Sequence, residues 1–129
     1  MAGRRCLDSS VVIPYRAGEE EIVKAVTESD ELFVSSIVLG ELMVGAIKSA
    51  RPESNLAWIE SFAARIRVLD VDFETARVYA DVRNALRVAG RPIPENDLWI
   101  AATAIRHDLH LAARDAHFES VTDLKLESW

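Results

Sequence analysis

Cysteine is nearly absent from this sequence: Cys6 stands alone among 129 residues. A single thiol has no partner for an intrachain disulfide, and its place in an apolar run gives it a packing role suited to a reducing compartment. Glycine and proline are scarce, five and four, and they do not cluster, so no low-complexity tract or flexible linker is expected. No apolar run approaches the roughly 18 residues needed to cross a bilayer. The early apolar run at 11–13 is too short for a signal-peptide core, which makes the cytoplasm the expected location and gives no membrane role. Positive charge is also in deficit. With 15 basic and 21 acidic residues the net charge is −6, which argues against sequence-independent adhesion to DNA or anionic membranes. Chemistry on a nucleic acid would have to import positive charge locally, for instance as a bound cation.

What is present suits one compact domain over residues 1–129, since half of the residues are apolar and the length is sufficient for a true core. Residues 4–7 read as a short buried strand leading into Asp8, and 19–29 as a surface helix. A strand at 32–34 follows, then a helix over 37–49 capped by Ser35 or Ser36, and a helix opened by Pro52. After a strand at 66–69, Asp72 can cap a long helix that ends at Gly90. The segment PENDLWIAATA begins another helix, and strands are expected at 110–113 and 124–126. Strands separated by helices over this length predict an α/β sandwich with a mainly parallel sheet.

Four acids stand out by position. Asp8 and Asp115 lie at or just past the carboxyl ends of expected strands, where open α/β sheets place their sites. Glu41 interrupts an apolar helix, and its neighbours three and four positions away, Ile37, Val38, Val44 and Gly45, cannot pair with it. An ionised carboxylate on such a face is costly unless a cation or hydrogen bonds compensate. Asp97 shares a helix stripe with Ala101 and Ala104, whose small side chains predict space beside it. Each acid also has an ordinary reading: a turn for Asp8, a cap for Asp97, a loop for Asp115, a solvated face for Glu41. Together they would repel one another unless a cation neutralised them, and oxygen-only ligands select magnesium or manganese over zinc.

The segments CLDSSVVI, SSIVLGELMVGA, IPENDLWIAATAIRHDLHLAARDAHF and DLKLES, in this order, resemble the PIN-domain family, specifically its VapC-type ribonuclease toxins. The resemblance covers most of the chain and implies a PIN-like three-layer sandwich. It implies that Asp8, Glu41, Asp97 and Asp115 hold magnesium, with manganese as a substitute, for hydrolysis of RNA by water, with Ser10 supporting Asp8. It also implies a homodimer, a cognate VapB-type antitoxin, and contact with DNA only through that antitoxin. One departure is Ala113, where the family often carries a threonine. A glycine-rich phosphate loop and a Ser-His-Asp ordering are both missing, which agrees with a mechanism that uses no protein nucleophile.

Two further features are weaker. Arg83, Arg87 and Arg91 recur every four residues, and neither Arg83 nor Arg87 has an acid three or four positions away. Such a stripe is a candidate RNA-backbone contact, with a solvated face or pairing to distant acids as the alternative. His107, His110 and His117 do not share a helical face and are expected at the surface or in supporting roles. Alternatives to the ribonuclease are a non-catalytic PIN-like interaction module and a receiver-like phosphoacceptor domain. The receiver is disfavoured by the absence of paired early acids.

Overall fold

The computed structural model describes residues 3–129. Five strands, β1 (Arg4–Leu7), β2 (Glu31–Ser35), β3 (Arg67–Leu69), β4 (His110–Ala113) and β5 (Leu126–Ser128), form one sheet in the order β3-β2-β1-β4-β5. Every neighbouring pair is parallel. The chain first builds outward from β1 through β2 to β3, then returns to the other side of β1 for β4 and β5. Right-handed crossovers in opposite directions put helices on opposite faces of the sheet, which gives the three layers. The reversal between β1 and β4 opens a crevice at the carboxyl ends of those strands.

The helices are α1 (Ser9–Arg16), α2 (Glu20–Thr27), α3 (Ser36–Ile47), α4 (Pro52–Arg65), α5 (Phe73–Val88) and α6 (Glu95–Arg106), with a 3-10 turn at Ala116–Ser120. Most match the expected elements within two residues. Helix α1 and the 3-10 turn were not expected. The run Val11-Val12-Ile13 is β-branched and Pro14 lies inside α1, so local propensity speaks against a helix there. Burial overrides it: Val11 and Val12 are fully enclosed. Strand β5 begins at Leu126, later than the expected 124–126, and Leu111 N–H donates to Lys125 O at 2.8 Å to start that pairing.

Two local devices aim α3 and α5. Ser35, buried at the end of β2, accepts from Val38 N–H at 3.1 Å, and Asp72 accepts from Thr75 N–H at 2.8 Å and Oγ1 at 2.7 Å. Because Ser35 is buried, Ser35→Ala strands an amide and should cost about 1–2 kcal/mol. For a chain of this size that is a fall in Tm of roughly 4–7 °C. Thermal unfolding of the variant checks it, and an unchanged Tm would show that the cap is dispensable.

The sheet is central to the core, with Leu7, Val34, Leu111 and Ala112 fully buried beneath Val38, Ile100 and Phe118. Cys6 is part of this packing. Burial, with the nearby Asp8 charge adding to it, pushes its thiol up to about 12, so it remains an unreactive apolar filler. Helix α5 braces α6 through a Tyr79–Trp99 stack with centroids 3.7 Å apart. That contact fixes the helix that carries Asp97.

Candidate active site

The four acids come from four places that only the fold brings together. Asp8 follows β1, Asp115 lies two residues beyond β4, Glu41 sits in the second turn of α3, and Asp97 in the first turn of α6. Asp8 is buried and serves as the N-cap of α1. Its Oδ2 accepts from Ser10 N–H at 3.2 Å and Ser10 Oγ at 2.6 Å, while Ser10 Oγ accepts from Arg114 N–H at 2.9 Å. The Ser10 hydroxyl therefore ties the end of β1 to the end of β4. The turn reading of Asp8 and the site reading are compatible, since the turn is what orients the carboxylate.

Asp97 does not cap its helix: Pro94 occupies the cap position without a side-chain bond. The buried carboxylate instead meets His117, with Oδ2 3.0 Å from Nδ1. Burial raises the Asp97 pKa, the His117 contact opposes that, and the charges of Asp115 and Asp8 raise it again. The space expected beside Asp97 is not there, because Ala101 and Ala104 are fully buried in the core. Their small size suits close packing of α6 in the core.

Glu41 carries the clearest mark of an incomplete site. Its Oε1 is buried without a hydrogen-bond partner within normal geometry, Oε2 receives Asn96 Nδ2 at a long 3.4 Å, and the Ser9 side chain is the other polar neighbour. Burial raises its pKa, Asn96 partly offsets this, and the charges of Asp8 and Asp97 raise it further. A carboxylate in this state gains from a cation that neutralises its neighbours at the same time.

Asp115 caps the 3-10 turn by accepting from His117 N–H at 2.9 Å, and its Oδ1 also lies 2.9 Å from His117 Nδ1. Donor atoms of Asp97, Asp115 and His117 all fall within 4.8 Å of one another. Asp8 and Glu41 do not join this tightest group, although their charges are felt across the site. His117 and Asn96 are the participants that the sequence pattern missed. The available signals were adjacency alone, two residues from Asp115 and one from Asp97.

Comparison with known proteins identifies the family to which this parallel-sheet fold belongs. The PIN domain sequence profile matches residues 5–124. The chain belongs to the PIN-domain family. Among PIN-domain relatives, ribonuclease VapC2 of Haemophilus influenzae is 36% identical over 126 residues, covering 95% of this chain and 96% of the relative. The tRNA(fMet)-specific endonuclease VapC of Shigella flexneri is 40% identical over 100 residues, covering 77% and 76%. A DNA-bound VapBC from Salmonella typhimurium superimposes with a TM-score of 0.90 at 31% identity, covering 100% of this chain and 99% of that one. PIN membership removes the receiver-like alternative.

The arginine stripe looks different in three dimensions. Arg83 is not unpaired: its Nη1 lies 2.7 Å from Glu95 Oε2 and 2.6 Å from Tyr79 Oη. The four-residue rule could not see Glu95, which arrives from the next helix of the PIN fold. Arg87 donates to Asn84 Oδ1 at 2.8 Å, and Arg91 is exposed just after Gly90, whose φ of 70° turns the chain. Elsewhere, a groove of about 370 Å³ lies between α1, α3 and α4, with Val12, Leu42, Ala46, Ile59 and Glu41 in its lining. No helix among the described residues is long and apolar enough to cross a membrane.

Proposed function

We propose that this protein is a VapC-type toxin, an endoribonuclease that hydrolyses RNA with a divalent cation, magnesium or manganese, held by Asp8, Glu41, Asp97 and Asp115. The observation that carries the reading is the partnerless, buried Glu41 Oε1 facing a cluster of acids. The donor set fits the group, because carboxylate oxygens suit a hard cation and their mutual repulsion needs one. When bound, the cation supplies an acidified water, a grip on the scissile phosphate and positive charge for in-line displacement.

The chain's own residues do the rest. Ser10 locks the Asp8 carboxylate and joins it to the end of β4. Helix α6, braced by the Tyr79–Trp99 stack, holds Asp97 without using it as a cap. The walls of α3 and α6 restrict water around Glu41 and Asp97, which strengthens their attraction for positive charge. Arg87 and Arg91 are the stripe members left to steer an RNA backbone, since Arg83 is already neutralised by Glu95 while Arg87 meets only the neutral Asn84. The name of the Shigella relative makes tRNA(fMet) the first substrate to assay, with cleavage compared in magnesium and in excess EDTA. Cleavage that persists in EDTA would refute the cation-dependent reading; a failure to cleave any RNA while binding antitoxin would favour the non-catalytic interaction module.

The same reading implies a cytoplasmic homodimer neutralised by a VapB-type antitoxin, as the partner names of the solved relatives suggest. The mainly apolar groove, with Glu41 in its lining, suits an amphipathic helix bearing a basic side chain. Inhibition by such a side chain should compete with magnesium and weaken in Asp97→Asn, whereas groove docking alone would be indifferent to both. Titrating the antitoxin at several magnesium concentrations checks this, and sedimentation of the same mixtures reads the dimer. Equal affinity throughout would sink the plug, and a monomer at all concentrations would sink the homodimer.

A further inference from the structure

Among the described residues, His117 is the histidine that joins Asp97 and Asp115, and its placement is specific. Nδ1 lies 3.0 Å from Asp97 Oδ2 and 2.9 Å from Asp115 Oδ1. Neighbouring donors around an octahedral ion with bonds of about 2.1 Å are about 3.0 Å apart, so these two spacings match two edges of such a shell. The ring is held there from its own backbone. His117 N–H donates to Asp115 Oδ1 at 2.9 Å, which fixes the Asp115-Ala116-His117 turn and points Nδ1 inward. The side chain is half exposed, so the imidazole has room to adjust without disturbing the core. His107 and His110 are no substitutes: His110 faces Glu127 at the far side of β4, and His107 terminates α6.

We propose that His117 ligates the catalytic cation through Nδ1, alongside Asp97 and Asp115, making this a mixed nitrogen and oxygen site that prefers manganese to magnesium. The inference rests on the cation-dependent reading above and deepens it. Magnesium binds nitrogen poorly and favours all-oxygen shells, whereas imidazole suits manganese and the later first-row metals. A nitrogen in the first coordination shell therefore changes which cation fills the site, while the four carboxylates alone would leave magnesium and manganese close to interchangeable.

The test adds Mn2+ to metal-free protein and reads the ion by pulsed electron paramagnetic resonance, which detects directly bonded nitrogen. Wild type should show nitrogen coupling that changes on 15N-histidine labelling and disappears in His117→Ala. Calorimetric Mn2+ affinity should fall about 10–100-fold in that variant, the usual scale for losing a group at a metal site. Mg2+ affinity should change far less. Bound Mn2+ with no nitrogen coupling in wild type, or coupling that survives in His117→Ala, would overturn the His117 assignment and leave the carboxylate site standing. If wild type binds neither ion, the cation-dependent reading fails as well, so the two failures are separable. The wild-type spectrum decides the question even if the variant folds poorly.

Discussion

Asp8→Asn and Asp97→Asn should each reduce metal-dependent RNA cleavage by at least about 10²–10³-fold, the scale for removing one preorganised charged group at a reaction centre. The substitutions conserve shape. In Asp8→Asn the amide oxygen can still accept the Ser10 hydrogen bonds, so the cap of α1 is retained and the loss is one of charge. At position 97 the amide oxygen can still face His117, and the helix cap is untouched because Pro94 holds it. Both variants should therefore unfold close to wild type in the absence of metal. Initial rates on a cleavable RNA, with and without magnesium, measure the effect. Retained cleavage in both variants would remove these acids from the mechanism and leave the fold assignment intact.

The second large effect concerns stability. Glu41→Gln should melt no lower than wild type when both are metal-free, because the variant removes a charge that burial and the Asp8 and Asp97 carboxylates disfavour. An amide at that position can also donate to a neighbouring carboxylate. The sign follows from linkage. A carboxyl whose folded pKa is raised holds its proton better in the folded state, so its contribution to stability is greatest in acid and declines as pH rises through the raised value. The advantage of the variant should accordingly be largest at neutral pH and vanish well below the ordinary glutamate pKa of 4.5.

Magnesium should reverse the ranking. At a hundredfold excess over Kd a ligand adds about 2.7 kcal/mol, which for this length is roughly 8–12 °C in Tm. Wild type should gain that increment and Glu41→Gln clearly less. Differential scanning fluorimetry of both proteins at about pH 3.5 and pH 7.5, with and without magnesium, resolves all eight states. A variant that melts several degrees lower without metal would make Glu41 a structural partner.

The order of elements was readable because it depends on local chemistry. Apolar runs with strand length, Ser35 and Asp72 as caps, and Gly90 as a left-handed stop each act over a few residues. Helix α1 was not readable, because Pro14 and the β-branched run oppose it and the enclosure of Val11 and Val12, with Asp8 as N-cap, outweighs them. Glu41 announced itself in the sequence for a physical reason: an acid surrounded by apolar helix neighbours must find its compensation outside its own helix. Arg83 shows the limit of the same reasoning, since its compensating acid, Glu95, belongs to another helix and no spacing rule reaches it.

The sequence by itself determined that this is an acidic α/β chain and that its unusual carboxylates sit at strand ends and on an apolar helix face. Those properties follow from residue type and short-range periodicity. Only the tertiary structure decided which donors share one space. The reversal of strand order places β4 beside β1, so that Asp115 and His117 arrive next to Asp97 from 18 and 20 positions along the chain. That meeting depends on the closing of the sheet and the pitch of α6 against it, and neither is written in any local stretch of the chain.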